Sequence, residues 1–324
     1  MSQHEAKVVR LGEIKKHPNA DSLGIVSIGG YTCVVRLDDW REGDLAVYVE
    51  PDYVVPTDRP IFSFLAKDGR TRERITVRKF RSVMSQGLLV RAPAGFAEGD
   101  NAAPDLGIER YEPPMAAAGS GGEAEKPPSV FAPCYDVEPL RKYPHAILNG
   151  TIVLVSEKIH GANGRFVFHD GRMWCGSRTE WKREDQGIMW WRALTQNPWL
   201  EKWCRANPNH IAYGEVFGQV QDLKYGAGKS DLFIRVFDVM CPHGWLHAVD
   251  LYDCMAPGHL APLVWTGPYD FELVAALASG PSLVPGASHL REGIVIHPAN
   301  ETRNDEIGRL VLKVVSDDYI GRKG

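Results

Sequence analysis

The chain has 324 residues, 44% of them apolar and 24% charged, with a formal net charge of −4. That length suits two domains, each able to bury a core. The mildly acidic balance argues against a protein that coats nucleic acid over its whole surface, and without a run of about 18 apolar residues no membrane span is expected. Met1-Ser2-Gln3-His4-Glu5 carries no apolar leader core. Cys33, Cys134, Cys175, Cys204, Cys241 and Cys254 scatter without a C-x-x-C pair, so reduced thiols and a cytoplasmic setting are expected.

In chain order, short β-type runs come first: Gly24–Ile28, Tyr31–Leu37, Asp44–Val49, Ile75–Val77 and Gly87–Val90, with Gly29-Gly30 as a hairpin turn. This density of short strands predicts a small β-barrel over residues 1–112, with a sandwich as the alternative. Between them Arg70, Arg72, Arg74, Arg78, Lys79 and Arg81 face one acid, Glu73. Such a run is either a solvated face or a track for nucleic-acid phosphates, and the second reading is preferred. Paired prolines, glycines and small residues over 113–129 predict a flexible linker. Residues 130–324 then form a second domain, with strands at Thr151–Val155, Arg165–His169, Ile211–Val216, Leu232–Val239, Gly293–His297 and Arg309–Val315. A helix is predicted over Glu184–Leu194, and Asn197-Pro198 opens another carrying Trp199, Leu200 and Trp203. Tryptophans at that near-helical spacing read first as core packing. The class is α+β, built on antiparallel sheets.

The chemistry gathers in the second domain. Lys158 ends an apolar strand within Ser156-Glu157-Lys158-Ile159-His160-Gly161-Ala162-Asn163, where glycine lets the backbone turn tightly beside a ligand. At an ordinary lysine pKa only about 0.04% of the amine is neutral at pH 7, so a nucleophilic role needs a nearby cation. A strand-end lysine reaching into water is the plain alternative. Four further polar groups border strands in order: Arg178 in Ser177-Arg178-Thr179-Glu180, Glu215 in Tyr213-Gly214-Glu215, Glu292 in Arg291-Glu292-Gly293, and Lys313 in Leu312-Lys313-Val314; Phe237 lies in Val236-Phe237-Asp238. Gly226-Ala227-Gly228-Lys229-Ser230 imitates a phosphate-binding loop, but Leu223 stands where that motif needs glycine, so a flexible, substrate-gating loop is expected instead.

This ordered series resembles the motifs of the covalent nucleotidyltransferase superfamily of DNA ligases, RNA ligases and capping enzymes. Glu157-Lys158-x-His160-Gly161-x-Asn163 is similar to the nucleophile motif of the phage-type RNA ligase 2 group. The N-terminal half, through His17-Pro18-Asn19-Ala20-Asp21-Ser22-Leu23, Glu42-Gly43-Asp44 and Ser85-Gln86-Gly87-Leu88-Leu89, resembles the OB domain of ATP-dependent RNA ligases of the Deinococcus type. The first of those stretches is also similar to OB modules that bind tRNA.

The resemblance implies an N-terminal OB-like barrel and a C-terminal adenylating domain that joins 3′-hydroxyl and 5′-phosphate RNA ends. Nicks in duplex RNA or an RNA/DNA hybrid are the expected substrate, with ATP and Mg²⁺ or Mn²⁺ as cofactors; neither a membrane nor a protein partner is implied. Lys158 would carry AMP, and Lys313 would neutralise the α-phosphate. Glu157, His160, Asn163, Arg178, Glu215, Phe237 and Glu292 would bind the nucleotide, Glu292 and Glu215 the metal. The family pattern has a second lysine where this chain has Val315, which leaves Lys313 alone or brings in Lys182, Lys224 or Lys229. A capping-type guanylyltransferase, a DNA ligase, or a noncatalytic RNA- or tRNA-binding protein are the alternatives. The first two usually place the OB domain after the last motif, whereas here the barrel candidate precedes.

Overall fold

A computed structural model of the chain describes residues 5–67, 69–111 and 121–321. Contacts divide these into two units: residues 5–111 joined by 140–144 and 317–321, and residues 121–139 with 145–316.

In the first unit Leu45–Val49 is the central strand of an antiparallel sheet, flanked by Val8–Arg10 and Leu88–Arg91. Side chains alternate along a strand, so Val47 and Val49 face one core with Val55 and Phe62 while Ala46 and Tyr48 face another with Val26 and Cys33. A strand covered on both sides needs apolar residues at successive positions, as Leu45-Ala46-Val47-Tyr48-Val49 has. Leu23–Ile28 and Tyr31–Arg36 pair as the expected hairpin, with Gly29 in the left-handed region at φ 56°. Ile75–Val77, expected as a strand, is buried but irregular; it links Arg72–Arg74 to Arg78–Phe80, which pair in different sheets. All three of its residues are buried, so the alternation of a one-faced strand is missing.

The second unit holds a seven-stranded and a five-stranded sheet. The seven-stranded sheet centres on Ala162–His169, Ile211–Gly218 and Leu232–Cys241, all antiparallel. Helices Met189–Gln196 and Pro198–Ala206 cover one of its faces, where Trp190, Trp191 and Leu200 pack with Phe166, Val216 and Ile234. The first helix starts at Met189 rather than Glu184 because Asp185 forms a turn, its carboxylate accepting from the Gly187 N–H at 2.7 Å and its carbonyl from Ile188 at 2.9 Å. The opposite face is left for Asn163, Arg165, Tyr213, Glu215 and Arg235, which alternate with those core residues. In the five-stranded sheet Ile152–Lys158 lies between Leu263–Pro268 and Gly293–Pro298, and Leu312–Val315 follows. Of the expected linker, residues 113–120 lie outside the described residues, while Ala124–Glu125 pairs with Trp181–Lys182 as an edge strand. Among the described residues no helix is long and apolar enough to cross a membrane.

Candidate active site

Strand register decides which side chains meet Lys158. Lys158 pairs with Gly293, and Gly293 with Val315, so these three share one face of the sheet; Ser156, Val295 and Lys313 form the next row on that face. Glu292, the residue before Gly293, turns its carboxylate to the lysine: Lys158 Nζ donates to Glu292 Oε1 at 2.7 Å. The second oxygen, Oε2, lies 3.2 Å from His160 Nδ1. Burial alone would raise the Glu292 carboxyl, but Lys158 and His160 outweigh it and hold it down at about 2.

His160 is itself fixed from three directions. Its Nε2 is 2.6 Å from Asp222 Oδ1, its Nδ1 faces Glu292, and its backbone N–H donates to the Tyr225 hydroxyl at 2.7 Å. The next residue must be glycine: a Cβ on Gly161 would lie 2.1 Å from the Val216 carbonyl oxygen. That close approach brings the 158–163 segment against the Ile211–Gly218 strand, where Glu215 stands in register with Asn163. Burial pushes the Glu215 carboxyl up to about 8, with Lys158 opposing and the charge of Glu292 adding to the rise. Asn163 Oδ1 is buried with no hydrogen-bond partner. A carboxylate short of counter-charge and an orphaned amide oxygen beside an amine are what a polar, cation-bearing ligand would satisfy. Among the described residues no three His, Cys, Asp or Glu groups form a preformed metal cage. Glu215 and Glu292 are the carboxylates here that could hold a divalent cation, which would take its other ligands from phosphate and water oxygens, as Mg²⁺ commonly does.

Residues 151–315 match the family model for RNA ligase, and residues 6–92 match an OB-fold domain. This chain belongs to the RNA ligase family. Solved structures of Naegleria gruberi RNA ligase share its fold: an apo variant aligns with a TM-score of 0.80 at 23% identity, over 98% of this chain and 97% of that one. A variant of the same protein with ATP and Mn aligns at 0.79 and 22% identity over 98% of both chains, and one with AMP and Mn at 0.80 and 22%, again over 98% of both. Curated proteins offer no match.

The ligase thus gathers Lys158, His160, Asn163, Glu215 and Glu292, which the sequence singled out from three separate segments. Other expected residues sit differently. Glu157 points to the opposite face from Lys158, where its carboxylate accepts from Ser282 Oγ and the Leu283 N–H, both at 2.6 Å. Arg178 is half-exposed and donates to Asp136 at 2.8 Å. Phe237 packs 4.9 Å from the Tyr135 ring, in a cluster with Tyr213 and Trp181. Lys313 is half-buried in the row beside Lys158, and Val315 occupies the face where a second lysine was expected. Of the stand-ins, Lys182 is buried and donates to Glu180 at 2.7 Å.

In the OB unit the basic run of the ligase is partly neutralised. Arg72 pairs with Glu109, Arg74 with Asp52, and Arg78 lies 3.5 Å from Glu73; Arg74 also lies 3.9 Å over the Tyr111 ring. Arg70, Lys79 and Arg81 are exposed. Arg74 and Arg78 line a cleft of about 880 Å³ with Arg36, Trp40, Phe64 and Phe80. Sequence reasoning missed Asp222 and Tyr225. Their only signal was proximity to the glycine-rich stretch taken as a flexible loop, which is tied down: Gly228 N–H donates to Asp231 Oδ2 at 2.8 Å and Ala227 N–H to the Lys224 carbonyl at 2.9 Å.

Proposed function

We propose that this RNA ligase uses ATP and a divalent cation to seal 3′-hydroxyl and 5′-phosphate RNA ends, with nicks in a duplex or RNA/DNA hybrid as its substrate. The observation that carries the reading is the ion pair of Lys158 with Glu292, flanked by His160 and Glu215. In that pair the amine is protonated and cannot attack. Glu292 and Glu215 would hold the cation, whose charge supplies electrostatic stabilisation at the phosphates. A carboxylate engaged there binds the lysine proton less well, which favours the neutral amine.

Lys158 Nζ attacks the α-phosphorus of ATP: a P–N bond forms, the P–O bond to pyrophosphate breaks, and the amine gives up a proton. Lys313 would neutralise charge that builds on the α-phosphate; Val315 cannot add a second charge, which leaves Lys313 alone or with Lys224 or Lys229. His160 and Asn163 border the phosphates, Arg178 the ribose or phosphate, Phe237 the base, and Glu157 lies near adenine through its backbone carbonyl. A 5′-phosphate oxygen of RNA then displaces the lysine from the AMP phosphorus, and the 3′-hydroxyl displaces AMP from the 5′-phosphate. Arg70, Arg72, Arg74, Arg78, Lys79 and Arg81, with the aromatic-lined cleft beside them, are the proposed contact for RNA phosphates and bases.

Incubation with ATP labelled at the α-phosphate and Mg²⁺, followed by a denaturing gel, tests this. Label is expected on the wild-type chain and none on Lys158→Ala. Retention from GTP alone would point to a capping enzyme, and none from either nucleotide to a binding module. Joining assays over RNA and DNA nick combinations then test the substrate.

A further inference from the structure

The segment Gln221–Tyr225 touches the nucleophile loop three times. Gln221 Nε2 donates to the Gly161 carbonyl at 3.4 Å, Asp222 Oδ1 lies 2.6 Å from His160 Nε2, and the Tyr225 hydroxyl accepts from the His160 N–H at 2.7 Å. The segment is rigidly seated. Tyr225 is 2% exposed, its ring 5.0 Å from Phe217 and 4.5 Å edge-on to His289. Gly226, at φ 72°, lies so close to the next loop that a Cβ there would meet the Gly286 carbonyl oxygen at 2.5 Å. Asp222 is therefore carried on a fixed backbone, although its own side chain is 42% exposed.

We infer that Asp222 is a positioning residue for adenylation: it fixes the His160 ring, which in turn fixes the Glu292 carboxylate against Lys158. Glu292 has two oxygens. Oε1 accepts from Lys158 Nζ and Oε2 faces His160 Nδ1, so the imidazole holds the second oxygen and opposes rotation of that carboxylate. His160 could pivot about its own side-chain bonds, and the contact at its far nitrogen prevents this. A carboxylate oxygen accepts only, so the ring is spanned by an acceptor at each nitrogen. The chain Asp222–His160–Glu292–Lys158 thus sets where the amine stands when ATP arrives, and an ångström of misplacement at an attacking atom is costly.

The proposal rests on Lys158 being the adenylated residue, so wild-type and variant proteins are labelled side by side in single turnover with α-labelled ATP and Mg²⁺. Asp222→Ala is expected to slow label transfer to Lys158 by about ten- to a hundredfold, as loss of an orienting partner commonly does. Half-saturation for ATP and the melting temperature should stay close to wild-type values, because the side chain removed is itself 42% exposed. Asp222→Asn, which keeps an acceptor oxygen at the same place, should restore most of the rate. Label transfer in Asp222→Ala at the wild-type rate overturns the proposal alone, as does an Asp222→Asn as slow as the alanine variant. A wild-type chain that takes no label overturns the adenylation reading and this proposal with it.

Discussion

At Glu215 the fold accepts a cost for its site. The carboxyl moves from 4.5 in the unfolded chain to about 8 in the folded one, first through burial and then through the charge of Glu292. The folded chain keeps a proton that the unfolded chain releases, so this group makes the native state lose stability as pH rises from 4.5 through 8. Glu215→Gln removes the titration. In the metal-free protein that variant is expected to melt about 2–4 °C above wild type at pH 8 and near wild type at pH 4, while adenylation weakens. Equal melting temperatures at both pH values in a differential scanning experiment would show that Glu215 is not held short of counter-charge. The residue types at this site were legible in the sequence because Lys158, Glu215, Glu292 and Lys313 each border an apolar strand. Asp222 was not, because nothing in its local pattern separates it from an ordinary surface acid.

Between strands, glycines set the spacing that the chemistry needs. A Cβ on Gly293 would lie 2.1 Å from the Val314 carbonyl oxygen, and Gly293 is the partner of Lys158 in register. Gly293→Ala must therefore push the Leu312–Val315 strand away or shift its own strand along the sheet. Since Lys158 and Lys313 are carried on the two strands that flank Gly293–Pro298, the expected result is a fall in adenylation rate of about a hundredfold. Single-turnover labelling measures it, and a rate within twofold of wild type would show that the sheet absorbs the methyl group without moving either lysine. At this scale the sequence predicted strands well where alternation or continuous burial was clear, as in Tyr31–Arg36 and Ile211–Gly218. It failed at Ile75–Val77, where successive buried residues belong to a linking segment, and at Glu184–Ile188, where the Asp185 turn delays the helix.

In the whole molecule the chain returns to its first unit twice. Asp317, in the short helix Asp317–Gly321, accepts from Arg141 at 2.7 and 3.0 Å and from Gln86 Nε2 at 2.6 Å, and all three residues belong to the OB unit. Asp317→Ala is expected to destabilise that unit by about 1–3 kcal/mol, since it leaves a half-buried guanidinium and an amide without their acceptor. Urea unfolding followed by the fluorescence of Trp40, read in a Trp40→Phe background as control, measures the loss; an unchanged midpoint would show that water replaces the carboxylate fully. A fragment ending at residue 112 lacks both Arg141 and Asp317 and should unfold at lower urea than the full chain. By itself the sequence determined the RNA ligase motifs, their order, and the placement of an OB-like half before them, because each is written in local patterns of apolar strand, glycine and charge. Only the tertiary structure decided that Glu157 turns away from Lys158, that Asp222 reaches His160, and that residues 140–144 and 317–321 complete the OB unit. Those contacts join positions 62 to 231 residues apart, and strand register and chain return, which no local periodicity encodes, bring them together.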